Sequence, residues 1–195
     1  MRPLLAGVTS LLLLAGCAST AGDPAAVDAP AAPQAVDAAA RADQVATGGT
    51  AGCENPAGFE LEYPADWSVN SGEVVSPCSW FDAAPFTVPE ASDVRTAAIT
   101  FVVRPADEIA SPWPDVTASD FVDVGGRTAV RIEQVSGPGL YPVGTPITTY
   151  VVDLPPRDEV LVASTVGLPG TDHERDVAVL DAMMDSLRFA AAPLV

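Results

Sequence analysis

Asp120-Phe-Val-Asp-Val-Gly-Gly-Arg-Thr-Ala-Val-Arg-Ile-Glu-Gln-Val135 is the stretch on which the fold turns. Two arms, Asp120–Val124 and Arg127–Val135, flank Gly125-Gly126. A glycine pair between period-two runs predicts a hairpin closed by a two-residue turn. Both turn positions need positive φ, and glycine reaches it with no Cβ to clash. In the second arm the period sends Thr128, Val130 and Ile132 to one face and leaves Arg131 and Glu133 for water.

Similar patterns extend outward in both directions. Phe59-Glu-Leu-Glu-Tyr63 alternates strictly and stops at Pro64, a strand by period and by breaker. Ala97 to Arg104 predicts a second strand with Ile99, Phe101 and Val103 on one face. Ile147–Leu154 and Glu159–Val166 predict an antiparallel pair turning at Pro155-Pro-Arg-Asp158. One helix follows, with Thr171-x-x-Glu174 as a capping box and Val177, Leu180, Met184 and Leu187 as its apolar stripe. Leu187-Arg-Phe189 is short enough for an edge strand docking back. The sum is α+β: a curved antiparallel sheet with a C-terminal helix packed on it, over residues 53–190, with 191–195 as a tail.

The chain begins differently. One positive charge at Arg2 precedes an apolar run, Leu4 to Leu14, and the small residues Ala15-Gly16 lead to Cys17. Basic start, short apolar middle and small residues at a cut are the layout of a secretory signal, here residues 1–16. The run, about a dozen residues, is too short to span roughly 30 Å of hydrocarbon as a helix. Leu14-Ala-Gly-Cys17 resembles the lipobox of bacterial lipoproteins, in which the cysteine thiol takes a diacylglycerol and becomes the mature N-terminus. That resemblance implies a lipid anchor at Cys17 and a position on the extracytoplasmic face of the cell membrane. Two or three acyl chains hold where one does not. An ordinary cleaved signal is the alternative.

Residues 17–52 follow as a spacer dominated by alanine, with Pro24, Pro30 and Pro33, scattered Asp and no aromatic residue. Such a stretch buries too little apolar surface to offset the entropy of ordering it. As a coil it reaches on the order of 30 Å.

Formal charge is −17, and all nine basic residues are arginines. A chain this acidic repels phosphate backbones, which excludes nucleic acid as a partner, and repels anionic headgroups, so lipid rather than protein surface would hold it at a membrane. A GC-rich coding bias accounts for arginine without lysine.

Cys53 and Cys78 remain once Cys17 carries lipid. In an exported protein an isolated pair is most simply a disulfide, here a structural one contributing roughly 3.5 kcal/mol by loop entropy. Two buried free thiols or a redox pair are the alternatives, and the close Cys-x-x-Cys spacing of a redox pair is missing.

Phe59-Glu-Leu-Glu-Tyr-Pro-Ala-Asp-Trp67 resembles the opening of Mog1/PsbP-like domains, where a first strand runs into a Tyr-Pro-x-x-Trp turn. The Val124–Ala129 hairpin and the ending Asp185-Ser-Leu-Arg-Phe189 are similar to that family as well. The likeness covers roughly residues 55–190. It implies a central antiparallel sheet flanked by helices, in a set of secreted actinobacterial lipoproteins. It carries over no catalytic residue, because the family shares no catalytic motif.

Few residues point to chemistry. His173 is the one histidine, so mechanisms needing a histidine pair or a His-rich metal site are excluded. Gly-x-Ser-x-Gly is absent, and Gly125-Gly126 and Gly137-Pro-Gly139 read as turns rather than phosphate cradles. Asp120 with Asp123, and Asp107 with Glu108, lack the ligand count of a calcium loop. No cofactor and no metal are expected. Trp80, Phe81, Phe86, Trp113 and Tyr141 either fill the core or line a shallow apolar groove for a lipid, glycan or peptide.

The expectation is a non-catalytic binding or accessory module of the cell envelope. Its partners would be the membrane, through the anchor, and an envelope protein or amphiphile. A carboxylate-based enzyme acting on cell-wall sugars and a purely structural or assembly lipoprotein are the alternatives. A two-domain solute-binding subunit is disfavoured by size.

Overall fold

A computed structural model describes residues 48–90, 95–109 and 113–190. Cys17, the leader and most of the spacer lie outside the described residues, as does the tail 191–195.

The Gly125-Gly126 turn closes the hairpin as expected, with φ of 58° and 78°, the two positive values of a type I′ turn. Its arms are β6 (Val116–Val124) and β7 (Arg127–Val135), paired Val124↔Arg127, Val122↔Ala129 and Asp120↔Arg131. β8 (Pro146–Asp153) and β9 (Glu159–Val166) continue the meander, and β5 (Ile99–Pro105) pairs with β9. Short strands β3 (Ser68–Val69) and β4 (Trp80–Asp82) finish a seven-stranded antiparallel sheet in the order β3-β4-β5-β9-β8-β7-β6.

The strands do not form one sheet, as the pattern predicts, but two. β1 (Thr50–Asn55), β2 (Phe59–Pro64) and β10 (Arg188–Phe189) make a separate three-stranded sheet in the order β1-β2-β10. β1 starts inside the stretch read as spacer, because Thr50, Ala51 and Gly52 pair with Pro64, Tyr63 and Glu62. The edge strand at 188–189 docks back where expected, on Glu60 and Phe59 of β2.

Helix α1 (His173–Ser186) packs against β2 and β9. Its cap falls one residue after the expected Thr171: Asp172 accepts from the Arg175 N–H at 3.2 Å, while the Thr171 hydroxyl donates to Leu168 O. Val179, Leu180, Met183 and Met184 form the buried stripe, and Val177 is only half-buried. Beneath them lie Ile99, Phe101, Val152, Leu161 and Ala163. Phe59 stacks on Phe101 with ring centroids 6.1 Å apart, which joins the cores of the two sheets. The Ser186 hydroxyl ties the helix end to β2 by accepting from the Glu62 N–H at 2.9 Å.

Arg131 and Glu133 lie on the helix side of β7, Arg131 largely covered and Glu133 still 46% exposed. Alternation is as expected, but these residues point toward the helix. Arg131 lies 3.3 Å from Asp181 of α1 and 2.5 Å from Glu133. The Tyr150 hydroxyl donates to the same Asp181 oxygen at 2.7 Å. Burial alone would lower the Arg131 pKa, but the two carboxylates hold it above its ordinary value. Burial, then Asp181, push Tyr150 up. A polar latch thus replaces apolar packing where the helix crosses β7 and β8.

Candidate functional site

With α1 on one face, the large sheet presents its other face as a candidate surface. Register decides what stands there. Phe121 pairs with Val130, Val130 with Val151, Val151 with Val162, and Val162 with Val102. These five residues come from five neighbouring strands and share the face turned away from the helix. At about 4.8 Å between strands the ladder is roughly 19 Å long. The four valines are half-buried, and Phe121 at the β6 end is 82% exposed.

One border of the ladder is a row of mostly hydroxyl side chains: Thr100, Ser164, Thr149, Ile132 and Ser119, paired in that order. Arg95 lies over its β5 end. The guanidinium donates to Ala97 O, Ala98 O and Ser164 Oγ, at 3.0, 2.8 and 3.0 Å, and to Ser164 O. Among the described residues no carboxylate hydrogen-bonds to it. Burial pulls its pKa down to about 10, against the opposing pull of the Tyr141 hydroxyl and the Asp176 charge. The other border carries the charges, running through Arg104, the buried Val160, Asp153, Thr128 and Asp123.

At its β5 end the ladder runs into a pocket of about 370 Å³ lined by Val102, Trp80, Val74, Val75, Asn55 and Phe59, among others. The pocket exists because β4 pairs only with Ile99 and Thr100, leaving the rest of β5 without a strand on that side. Its wall is a firmly held loop. Asn70 donates to Val75 O and Ser76 O at 3.0 and 2.8 Å and accepts from the Ser79 and Trp80 N–H groups at 3.0 and 2.9 Å. Asn55 donates to Pro77 O at 2.7 Å and to Ser79 Oγ at 3.2 Å. The Cys53–Cys78 disulfide, with Cα atoms 5.8 Å apart, ties the loop to β1. Cys78 itself holds a left-handed φ of 59°.

The aromatic residues singled out in the sequence divide. Trp80 borders the pocket. Phe81 is a correction: it is fully buried, edge-on to Phe101 at 5.7 Å and against Tyr63 at 5.3 Å. In β4 one residue of Trp80-Phe81 must face the core, and the smaller ring does. Trp113 and Phe86 are half-buried and Tyr141 stands by Arg95; none of the three lines the pocket. The valine ladder was not legible as a site, because cross-strand register cannot be read from one strand's pattern.

Titratable groups gather at the helix start. Asp176 is fully buried, and burial raises its pKa despite Arg175, which donates to Oδ1 at 2.7 Å. Burial lowers the pKa of His173. Asp120 and Asp123 are three residues apart on one strand, so alternation turns them to opposite faces and they do not pair. Among the described residues no three His, Cys, Asp or Glu side chains are placed to hold a metal ion, and no helix is long and apolar enough to cross a membrane.

No protein-family model matches the chain, and no curated protein matches it. A solved crystal structure of a Bacteroides thetaiotaomicron protein is similar over 70% of this chain, with 13% identity and a TM-score of 0.37. The chain covers 46% of that protein's length.

Proposed function

We propose that this chain is a lipid-anchored protein of the outer, extracytoplasmic face of the cell membrane, whose domain is a non-catalytic module binding an amphiphile on the open sheet face. The apolar ladder running from Phe121 to the pocket at Val102 and Trp80 carries this reading. Such a strip, bordered by hydroxyls and Arg95 on one side and charged residues on the other, suits an alkyl chain with a polar end. The anchor rests on Leu14-Ala-Gly-Cys17, and the Cys53–Cys78 bridge is in keeping with an oxidising compartment. The Mog1/PsbP-like reading is proposed with it, on the Phe59–Trp67 run and the Asp185–Phe189 ending.

The test has two arms. Intact mass of the membrane-extracted protein reports diacylglycerol on Cys17; a mass retaining the leader without lipid removes the anchor. Titration with a fluorescent twelve-carbon amphiphile reports the groove. Val151→Thr with Val162→Thr keeps shape but places hydroxyls in the strip, and weakens binding by about tenfold or more. Equal affinity in the double variant refutes the groove.

A further inference from the structure

The free edge of the large sheet has a different character from its face. β6 is the last strand, and among the described residues no other strand pairs with its outer side. The type I′ turn sets which backbone groups point there. Val124, Val122 and Asp120 exchange hydrogen bonds with Arg127, Ala129 and Arg131, so the N–H and C=O groups of Ser119, Phe121 and Asp123 point outward.

Exposed edges are commonly blunted by charged side chains, above all lysine, by proline or by a bulge, and the charges on this edge are acidic. Here the bulge sits at the far end, between Val116 and Ala118, and the register from Ala118 to Val124 is unbroken. That segment contains neither lysine nor proline. In its centre stands Phe121, 82% exposed.

Charge indicates what would pair with it. Asp120 and Asp123 are exposed, and neither has an ion-pair partner among the described residues. The arginine across from Asp120 is Arg131, already held by Glu133 and Asp181. A second copy of this chain would bring another −17 and two more carboxylates without a cation to the seam. We infer that the β6 edge is a docking strand for an extended, basic segment of a partner protein. Its backbone bonds to Ser119, Phe121 and Asp123, its cations meet Asp120 and Asp123, and an apolar side chain covers Phe121. This surface meets the amphiphile strip at Phe121, but it rests on the outward backbone groups and carboxylates of the β6 edge and does not depend on amphiphile binding.

The test is amide-resolved hydrogen exchange on the full chain in neutral detergent, with and without a nine-residue peptide of alternating lysine and valine. In the free protein the Asp120, Val122 and Val124 amides exchange slowly, and those of Ser119, Phe121 and Asp123 exchange fast. The peptide slows the outward three by about tenfold or more while leaving their neighbours unchanged. Phe121→Ser, harmless to folding at so exposed a position, and Asp120→Asn with Asp123→Asn each weaken the effect, the latter together with its salt dependence. Three results would overturn the inference: outward amides already protected in the free protein, equal protection by a glutamate–valine peptide, or no protection by the lysine–valine peptide. A concentration-dependent dimer protecting the same amides would assign the edge to a second copy instead.

Discussion

Asn70→Ala tests how the pocket wall is held. The side chain is buried, 8% exposed, and makes four hydrogen bonds within ten residues of chain. Truncation frees the carbonyls of Val75 and Ser76, which lie on a partly exposed loop and rehydrate at little cost. The N–H groups of Ser79 and Trp80 lose their acceptor where water does not easily follow, and Ser79 is only 7% exposed. Two buried donors without partners cost about 1–3 kcal/mol each, so the variant loses roughly 2–6 kcal/mol. With a urea m-value of about 2 kcal/mol/M, that lowers the unfolding midpoint by roughly 1–3 M. The assay is urea denaturation of the oxidised protein, followed by tryptophan fluorescence. Asn70→Asp keeps the acceptors but sets a charged oxygen against two carbonyls. Its carboxyl is therefore protonated more readily folded than unfolded, and it regains stability as pH falls through the carboxylate range. A midpoint shift under about 0.3 M for the alanine variant, or an aspartate variant without recovery in acid, would refute the reasoning.

Tyr150→Phe removes the hydroxyl from Asp181 and costs about 1 kcal/mol, toward the low end because Asp181 can turn to water; a double-mutant cycle with Asp181→Asn checks the coupling. A Cβ at Gly125 would lie 2.8 Å from Leu187 O with φ of 58°, whereas one at Gly126 meets nothing within 4 Å. Gly125→Ala therefore costs at least about 2 kcal/mol and Gly126→Ala about 1 kcal/mol, read by thermal unfolding. Burial depresses His173 below its ordinary 6.5, so protonation favours the unfolded chain and stability falls as pH drops through that value; His173→Gln abolishes this slope in pH-dependent denaturation. Asp176 is raised above its ordinary 3.8, so its protonation favours the folded chain; stability gained on acidification in that window disappears in Asp176→Asn.

What the sequence reveals is what local pattern encodes. β7 and β9 run over the residues their alternation predicts, and two glycines with nothing but turn chemistry to offer define the hairpin. β1 was hidden because Thr50-Ala-Gly-Cys carries no strand signal of its own and is extended by its pairing with β2. β4 is too short for a period to tell its faces apart, and so the pattern alone leaves both the core and a groove open for Phe81. Alternation separates Arg131 from Val130 but does not say which side the helix will occupy. Asn70 has no local signature; its worth lies in a loop that closes on it.

The position of the Cys53–Cys78 bridge has a mechanical consequence. Any pull on the chain ahead of Thr50 enters the fold at the end of β1, where the pair with β2 can only unzip, one rung at a time, from Thr50↔Pro64. The rivet at Cys53 halts the peel after three residues and passes the load through Cys78 into the sheet that holds Trp80. Stretched by its N-terminal end, the oxidised domain gives a short, reversible extension before it yields, and chemical reduction turns that into the release of the whole strand.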